Sequence, residues 1–537
     1  MLVIGPPTAN ASILVQALSC SADLPLSVSS QLDYGLVPHT AAKRPTLAPS
    51  LGDRNRKPAE AKGESLRSQV VYLDDRDAHF AMLSLESTLR PDARAKTPER
   101  RPDGSTRRAW AENKMRSIVD ALGLSHALQT AVGSPLVRGL SGGERKRASV
   151  AEALLARASV LLLDGPFNGL DSSTAVSLLE YLRAWASGGK RSVVITTPHC
   201  ADALYAQFDR VLVLDSRGRQ VYFGRATEAE AYFGQMGFQR RLDSGEGIAE
   251  FLVACNEGRH NDADLERRWM ASKEREALAH ELDDAYPAKY PYETCAEPLF
   301  AALRDEKSRF TSASSHYTVS FARQVVILTR RQYALIRSEL PTYTTKTIVN
   351  LLLSVTVGTL FFRLPATTAH AFTRGSLLLL SIMFNAYLSL AELGKTIEGR
   401  DIVKRQGDYG FFSASALAVA RVLGDLPLIG VQCLLFGTIT YLLAGLQLSF
   451  ARFGIYFAFV YATALNLSCL FRMVAAFSPR FEGAIRFCGV ALNVLVMSAG
   501  YFIPTPSMPP WLKWVHYGID PISYSYEVCR QVKPCRP

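Results

Sequence analysis

The sequence lacks every short cysteine pattern that marks a metal or redox centre. Its nine cysteines include no CxxC pair and no Cys/His cluster with metal-ligand spacing, so no zinc or thioredoxin-like site is expected. The thiols are expected to stay reduced in the cytosol. Cys529 and Cys535 are the exception, because they can form a disulfide if that end of the chain lies outside the cell.

Charge is scarce in one long part of the chain, and no signal peptide precedes it. Met1 runs directly into Leu-Val-Ile-Gly, which is typical of a buried strand that enters a turn. From about Thr344 to Ile503 apolar runs dominate and ionisable groups are few, whereas most of the charge lies before them. A length of 537 residues with this division predicts a soluble domain fused to a membrane domain.

The net charge of +11 would suit nucleic acid or anionic lipid. Much of the Lys and Arg, however, lies in short segments that flank the apolar runs. The positive-inside rule then places the N-terminal domain and these basic loops on the cytosolic side. The loops carry Lys395, Arg400, Lys404 and Arg405, and further along Arg472, Arg480 and Arg486. Membrane topology explains the charge, and no nucleic-acid partner is expected.

Strand-like and helix-like segments alternate over the first 255 residues. After a first strand near residue 2, strands are predicted at 69–73, 160–163, 192–195 and 211–214. A helix is predicted between residues 110 and 122, and two more flank the strand at 160–163. Strands that alternate with helices predict a mostly parallel sheet with crossover helices, which is an α/β domain.

The rest of the chain is predicted to be helical. A charged linker at 256–319 leads to an amphipathic helix at 320–339, which is typical of a membrane surface. Five segments of membrane-spanning character follow, and an extracellular tail is expected after them. The segments are 344–362, 376–393, 426–446, 453–470 and 487–503.

The strongest motif is LSGGERKRAS, which starts at Leu140 just before a predicted helix. Further along the chain come an apolar strand that ends in Asp164 and the sequence GLDSST, which contains Asp171. A serine and two glycines at a helix N-terminus offer a hydroxyl and backbone N–H groups to a phosphate, with no side chain in the way. In this order the segments indicate a nucleotide site.

This arrangement resembles the ABC signature, Walker B segment and D-loop. The stretch VRGLSGGERKRASVAE resembles the first nucleotide-binding domain of fungal pleiotropic drug resistance transporters, in the G subfamily of ABC transporters. The likeness covers nearly the whole chain and includes Phe208-Asp209 in the first domain and Ile503-Pro-Thr-Pro in the membrane part. It implies a P-loop NTPase-like cassette at 1–255 and an ABC-2 type membrane domain at 320–537. It also implies the N-terminal half of such a transporter, shortened at both ends.

The phosphate loop departs from the working pattern GxxxxGK[ST], in which Lys reaches the β- and γ-phosphates and the hydroxyl binds Mg²⁺. The matching segment runs from Gly5 to Ser12 and has Asn10 and Ala11 in place of Gly and Lys. Ser12 keeps a hydroxyl for the metal, and Asn10 tolerates a positive φ better than most residues. Ala11 has no charge to offer.

Two further positions of the resemblance are degenerate. Gly165 follows Asp164 where a competent cassette has the Glu that orients the attacking water, although Asp164 itself is still expected to hold Mg²⁺. The switch histidine falls at Pro198, unless a register slip of one residue brings in His199. The glutamine-loop position falls at Asp75, from which a carboxylate can approach the metal. No catalytic group of its own ATP site is therefore expected to be intact.

The resemblance nevertheless implies a role for the signature. Two cassettes of this family meet head to tail, so Ser141, Gly142, Gly143 and Glu144 would close on ATP and Mg²⁺ held by a second cassette, with Asp171 nearby. The implied function is ATP-driven export of hydrophobic compounds across the plasma membrane, with the cassette in the cytosol. The partner would be a C-terminal-type half or a second copy of this chain.

Three alternatives stay open. The first is a non-transporting membrane protein that uses a dead cassette as a regulatory module. The second is a stand-alone ATPase, against which the missing Lys and Glu count, because catalysis depends on positioning and charge stabilisation. The third is a soluble DNA-associated ATPase, which the membrane-length segments argue against.

The charged segment 395–413 has two interpretations. It is either a solvated turn or, as the resemblance implies, a coupling segment in which Glu398 and Arg400 carry motion from the cassette to the helices. Near the start of the third apolar segment Arg421 and Asp425 lie four residues apart on a predicted helix, so we expect them to face each other and partly neutralise each other.

Overall fold

The computed structural model describes residues 1–19, 67–101, 103–189, 191–241, 243, 245–256, 262–281, 301–312, 315–365, 367–447 and 449–531. The chain divides into two units. Unit 1 comprises Met1–Ile327 together with Arg405–Ala414, and unit 2 comprises Leu328–Lys404 together with Ser415–Pro537.

Unit 1 is built on one six-stranded sheet. Its strands are β1 (Leu2–Ile4), β2 (Val70–Leu73), β3 (Val160–Asp164), β4 (Ser192–Thr196), β5 (Arg210–Leu214) and β6 (Gln220–Arg225). The spatial order is β2-β3-β4-β1-β5-β6. All neighbours are parallel except β5 and β6, which pair antiparallel. The predicted α/β class with a mostly parallel sheet is confirmed.

The strands are apolar because helices cover the sheet. Leu161, Leu162 and Leu163 are at most 1% exposed, as expected where a parallel sheet is buried on both faces. The helices of this part of the chain are α1 (Ala11–Leu18), α2 (Leu85–Ala95), α3 (Arg107–Ala121), α4 (Gly142–Leu155), α5 (Ser172–Gly189), α6 (Asp202–Tyr205), α7 (Ala226–Gln235), α8 (Ile248–Ala254), α9 (Asp262–Met270) and α10 (Lys273–His280).

Side-chain caps set where several of these helices begin. The hydroxyls of Ser84, Thr106 and Ser272 each accept a hydrogen bond from a backbone N–H in the first turn of α2, α3 and α10. Such caps satisfy donors that a helix cannot pair internally. They fix the entry to each helix.

The remaining helices continue from residue 321. They are α11 (Phe321–Ser338), α12 (Leu340–Leu360), α13 (Ala371–Ser389), α14 (Glu392–Glu398), α15 (Arg400–Asp408), α16 (Ala414–Leu443), α17 (Phe450–Phe477), α18 (Phe481–Ser498), α19 (Pro510–Gly518) and α20 (Pro521–Gln531). The expected amphipathic helix before the apolar segments is α11.

Four helices among the described residues are long and apolar enough to cross a membrane. They are Ala371–Glu398, Ala414–Leu443, Phe450–Phe477 and Phe481–Ser498. The first of these ranges includes both α13 and α14. Each overlaps one predicted segment. The first predicted segment, 344–362, overlaps α12, which is not among the four. Thr344, Thr345, Lys346 and Asn350 make α12 more polar than the others, and the number of spans stays a prediction.

The core of unit 2 forms where these helices pack together. Phe436, Leu467, Phe471 and Leu492 are at most 1% exposed within one cluster. The region after residue 503, expected to be a tail, folds into the short helices α19 and α20. Cys529 on α20 is buried, whereas Cys535 lies outside the described residues, so their disulfide stays a prediction.

The expected pairing of Arg421 with Asp425 is wrong. The Asp425 carboxylate pairs with Arg472 on α17, and the same guanidinium lies 3.1 Å from Glu392. The ion-pair partner of Asp425 is therefore Arg472 on another helix and not Arg421, which lies one turn away on the same helix. Sequence spacing could not reveal a partner from so far along the chain.

Candidate functional site

The phosphate-loop segment has the expected path of strand, turn and helix. β1 is fully buried, Pro7–Ala9 forms one short 3₁₀ turn, and α1 begins at Ala11. Asn10 takes a left-handed conformation with φ of 52°, which Asn adopts more readily than most residues. A Cβ on Gly5 would lie 2.9 Å from the Ala9 Cβ, so the first glycine of the loop is needed for close approach.

Asp164 lies at the end of β3 and is bonded to three hydroxyl groups. Its Oδ1 accepts from Ser12 at 3.0 Å and from Thr196 at 2.5 Å, and its Oδ2 accepts from Tyr72 at 3.1 Å. Burial, together with the negative charge of Asp164, raises the pKa of Tyr72. Both carboxylate oxygens therefore have partners within the chain.

Only part of the expected Mg²⁺-ATP site is present in the chain. Ser12 and Asp164, the two expected metal ligands, are brought together and share a hydrogen bond. Ala11 supplies no cation for the phosphates. Across the described ranges, no group of three or more His, Cys, Asp or Glu side chains could hold a metal.

Gly165 occupies a turn that excludes the missing glutamate. Its φ is +54°, and a Cβ there would lie 2.4 Å from the Asn168 amide nitrogen and 2.9 Å from Asp75 Oδ1. A side chain at this position would meet both steric crowding and an unfavourable backbone conformation. The backbone is thus arranged around the absence of a side chain.

Asp75, at the glutamine-loop position, is held by its neighbours. Its Oδ1 accepts from Asn168 at 2.8 Å and from the Lys146 ammonium at 3.2 Å. Lys146 is only 3% exposed, and its second acidic partner is Asp77 at 3.3 Å. The side chain of Asp75, which is 53% exposed, is therefore tied to the buried Lys146 at the surface of unit 1.

The switch-histidine position lies in the loop after β4. Pro198 and His199 are both exposed, and the Thr197 hydroxyl donates to the His199 carbonyl at 2.7 Å. Thr196, two residues before Pro198, is the hydroxyl that reaches Asp164. The last residue of β4 thus contributes a hydroxyl to the Walker B carboxylate. The contact of His199 with nucleotide stays a prediction.

The signature forms a capping box at the start of α4. The Ser141 hydroxyl accepts from the Glu144 N–H at 3.3 Å, and the Glu144 carboxylate accepts from the Ser141 N–H at 2.9 Å. That bond and one from His126 lower the pKa of Glu144. Ser141 and Gly142 are exposed. Because the hydroxyl accepts in the cap, its own proton remains available to a phosphate.

The D-loop lies against the signature. A Cβ on Gly143 would be 3.1 Å from the Gly169 carbonyl oxygen, so the two segments are adjacent. Asp171 is exposed, and it caps α5 by accepting from the Ser173 hydroxyl at 2.5 Å and the Thr174 N–H at 3.1 Å. These hydrogen bonds lower the pKa of Asp171. The exposed surface of unit 1 at this point is made of the two motifs that the sequence predicts to lie at a nucleotide.

The two residues expected to couple the domains have different surroundings. Arg400 donates to the backbone carbonyls of Ala475 and Ser478 at 2.5 and 2.6 Å, so it closes the end of α17 within unit 2. Glu398 is exposed. Their part in coupling stays a prediction.

Arg405 is the residue of this segment that contacts the cassette fold. The part Arg405–Ala414 belongs to unit 1. The Arg405 side chain is 10% exposed and pairs with Glu152 on α4, which is 1% exposed, at 2.6 Å. It also donates to the Ala78 carbonyl at 2.6 Å. His79 lies beside both Arg405 and Glu152. Burial and the charge of Arg405 lower the pKa of His79. Here the segment is not a solvated turn.

A second contact links this segment to the Walker B carboxylate. The Tyr409 hydroxyl donates to the Tyr72 carbonyl at 3.1 Å, and the Tyr72 hydroxyl in turn reaches Asp164. Sequence reasoning did not assign roles to Tyr72, Lys146 or Tyr409. The one available signal was the placement of ionisable or polar side chains within otherwise buried elements.

Two family models match the chain. The model described as ABC transporter matches residues 50–168, and that described as ABC-2 type transporter matches residues 323–533. The first range includes Ser141 and Asp164 and begins after the phosphate-loop segment. Fold, signature and both matches define the class: this is a membrane protein that carries the cassette and the membrane domain of an ABC transporter.

Similarity to curated proteins narrows the class. The chain is 33% identical over 483 residues to ABC multidrug transporter I of Aspergillus fumigatus, covering 87% of this chain and 32% of that protein. It is 33% identical over 552 residues to ABC multidrug transporter atrF of the same fungus, covering 98% and 33% respectively. The chain thus spans about a third of the length of these relatives. It is homologous to fungal ABC multidrug transporters.

Proposed function

We propose that this chain is one half of an ATP-driven exporter of hydrophobic compounds and that it donates its signature to an ATP site on a second cassette. The observation that supports this proposal most directly is a difference between the signature and the Walker B carboxylate of unit 1. Ser141 and Gly142 are exposed at a capped helix N-terminus, whereas the Asp164 oxygens are bonded to side chains of the same chain. The signature is therefore accessible to a ligand, whereas the oxygens of the Walker B carboxylate have partners within the chain.

The degenerate centre also indicates which partner is needed. Two copies of this chain would pair each signature with a phosphate loop that has Ala11 and a Walker B segment that has Gly165. Neither composite site would have the groups that stabilise phosphoryl transfer. The proposed partner is therefore a C-terminal-type half with intact Walker motifs, which makes this chain the N-terminal type. That it is shortened at both ends stays a prediction.

The setting proposed is the plasma membrane, with the cassette in the cytosol. Its support is the basic character of the loops around Lys395 and Arg472, which the positive-inside rule assigns to the cytosol. The names of the relatives indicate drugs as their cargo. A hydrophobic substrate is proposed for this chain by that likeness.

Coupling is proposed to pass through Arg405 and Tyr409. Both contact the cassette fold, next to α4 and β2 respectively, and α4 carries the signature at its other end. A movement of α4 on ATP closure would therefore act directly on Arg405. Efflux that persists unchanged in Arg405→Met, with the partner half present, would count against this role.

The test of the proposed function is ATP-driven dye efflux in inverted vesicles that contain this chain, the competent half, or both. Efflux is expected only with both halves. Ser141→Asp should abolish it, because Asp keeps the helix cap but places a carboxylate where the phosphate would bind.

Thr106→Ala is the matched control. It removes a hydroxyl cap of the same kind from α3, where Thr106 accepts from Ala109 at 3.2 Å, and should leave most of the efflux. Correct membrane insertion of both halves without any efflux would instead favour a regulatory module with a dead cassette.

A further inference from the structure

A separate cavity in unit 1 lies outside every nucleotide motif. It has a volume of about 380 Å³ and is lined by residues of α3, α5 and the segments after α4 and before β4. Its lining includes Trp110, Lys114, Arg157, Trp185 and Arg191. The volume falls in the range of roughly 300–1,000 Å³ that is usual for small-molecule sites. None of these side chains has a role in the function proposed above.

Two cation–π pairs form part of the lining. The Arg157 guanidinium lies 5.4 Å from the centre of the Trp110 ring, and that of Arg191 lies 4.5 Å from the centre of the Trp185 ring. A guanidinium over an indole face is attracted by the ring and keeps its N–H edge for other partners. Both indoles are half-buried. The cavity therefore presents aromatic and cationic groups side by side.

The backbone holds one of these cations in an unusual conformation. Arg157 has φ of +59°, which is uncommon for a residue other than Gly, Asn or Asp. Its guanidinium is further fixed by Glu306 at 2.7 Å. Uncommon backbone conformations persist where the surroundings impose them, and they concentrate at binding sites. The position of the Arg157 side chain is therefore well defined.

Positive charge exceeds negative charge around the cavity. Lys114, Arg157 and Arg191 line it, whereas the acidic lining residue is Asp103, which already accepts from Ser105 N–H and hydroxyl groups at 3.3 and 2.9 Å. Burial, and next the charge of Arg157, lower the pKa values of Lys114 and Arg191. A bound anion would relieve this repulsion.

We propose that this cavity binds an anionic ligand with a planar ring, of the chemical class of the nucleotides. The indoles of Trp110 and Trp185 provide faces for the ring, and Lys114, Arg157 and Arg191 provide donors for phosphate. Glu306 already pairs with Arg157, but a neutral hydrophobic compound would add no negative charge beside Lys114 and Arg191. A bare phosphate would leave the indoles unused. Binding here requires no partner half.

Adenosine monophosphate is the probe, titrated into the purified full chain by equilibrium dialysis. Saturable binding is expected. Arg191→Gln and Lys114→Gln should each weaken it about tenfold or more, because a hydrogen bond to a charged group contributes about as much as that factor represents. The second variant guards against a folding defect in the first.

Two controls separate this cavity from other sites. Arg183→Gln changes a guanidinium on the same helix as Trp185, one that is 54% exposed and pairs with Asp209, and should alter the dissociation constant less than twofold. Ser12→Ala at the phosphate-loop segment should have as little effect. Adenosine and inorganic phosphate should each compete at least tenfold more weakly than the probe.

Three results would overturn the proposal. They are no saturable binding of adenosine monophosphate, equal affinity of the Arg191→Gln and Arg183→Gln proteins, and loss of binding in Ser12→Ala. Competition by inorganic phosphate as strong as that by adenosine monophosphate would refute the requirement for a ring.

Discussion

At the residue scale, individual side chains of unit 1 show how a degenerate nucleotide site is accommodated. Ser12, Tyr72 and Thr196 donate to Asp164, and Lys146 neutralises Asp75. Asp164 is only 8% exposed, and a buried carboxylate without partners would be costly. These bonds therefore stabilise the fold at positions that the sequence predicts to serve a nucleotide.

Lys96 gives a pH-dependent prediction. It is 4% exposed, and burial lowers its pKa to about 7, with Arg157 contributing in the same direction. Between pH 7 and 10.5 the unfolded chain therefore binds a proton that the folded chain does not, and stability rises with pH in this window. Lys96→Met should remove this slope and stabilise the cassette at pH 7 by up to about 4 kcal/mol.

The measurement is thermal unfolding of the full chain in detergent at several pH values across that window. Lys273→Met is the control, since Lys273 is exposed in the first turn of α10 and should leave the slope unchanged. Equal pH dependence in the Lys96→Met and unaltered proteins would show that Lys96 is charged when folded.

Gly165 gives a prediction about reversing the degeneracy. Gly165→Ala should destabilise the cassette by about 1–3 kcal/mol, because the position has a positive φ and lacks space for a Cβ. Gly188→Ala on α5 is the matched control, since a Cβ there meets nothing within 4 Å, and it should be neutral or stabilising. Unfolding of both variants by urea makes the comparison.

The same crowding at position 165 determines what we expect of Gly165→Glu. Restoring the glutamate should not by itself create a catalytic site, because the turn must first move away from Asn168 and Asp75. A Gly165→Glu protein as stable as the original would contradict the steric account.

At the element scale, the sheet and the signature helix could largely be predicted from the sequence. Apolar runs such as 160–163 and the LSGG motif are local patterns, and β3 and α4 lie where they indicate. β6 is not among the predicted strands, since an antiparallel edge strand with Gln220 and Arg225 at its ends has no continuous apolar run. Local sequence patterns therefore predict central strands and helices better than they predict edge strands of the sheet.

Contacts between distant elements could not be predicted. Arg405 and Glu152 are 253 positions apart, and no spacing rule links them. The same is true of Arg472 with Asp425, for which the local partner Arg421 was the wrong expectation. Long-range pairing depends on the packing of whole helices, which a single sequence does not encode in any short pattern.

The pair between α15 and α4 gives the prediction at this scale. Arg405→Met or Glu152→Gln should each destabilise the cassette by about 3–5 kcal/mol, because either change leaves a buried charge without its partner. The double variant Arg405→Met/Glu152→Gln should cost less than the sum of the two single variants. Urea unfolding of the full chain measures all three.

The surface pair Arg183–Asp209 serves as the control for that cycle. Its side chains are 54% and 81% exposed, so breaking it should cost less than about 1 kcal/mol. Single variants at Arg405 and Glu152 that cost no more than this surface pair would mean that the buried contact is not maintained in solution.

At the scale of the whole molecule, a cassette and a membrane domain occur in one chain that spans about a third of its relatives' length. The division of labour proposed for the halves follows from chemistry at two motifs. The signature keeps an exposed hydroxyl and two glycines, and the Walker centre keeps its carboxylate without the Lys or Glu needed for hydrolysis. On the proposed division of roles, the chain would assist ATP hydrolysis at a second cassette and would not perform it alone.

ATP hydrolysis by the purified chain, alone and with a competent half, tests this account most directly. The account predicts no hydrolysis by the chain alone, hydrolysis when both halves are present, and its loss with Ser141→Asp but not with Thr106→Ala. Hydrolysis by the chain alone, or full activity of the mixture with Ser141→Asp, would contradict the claim that this half serves by donating its signature.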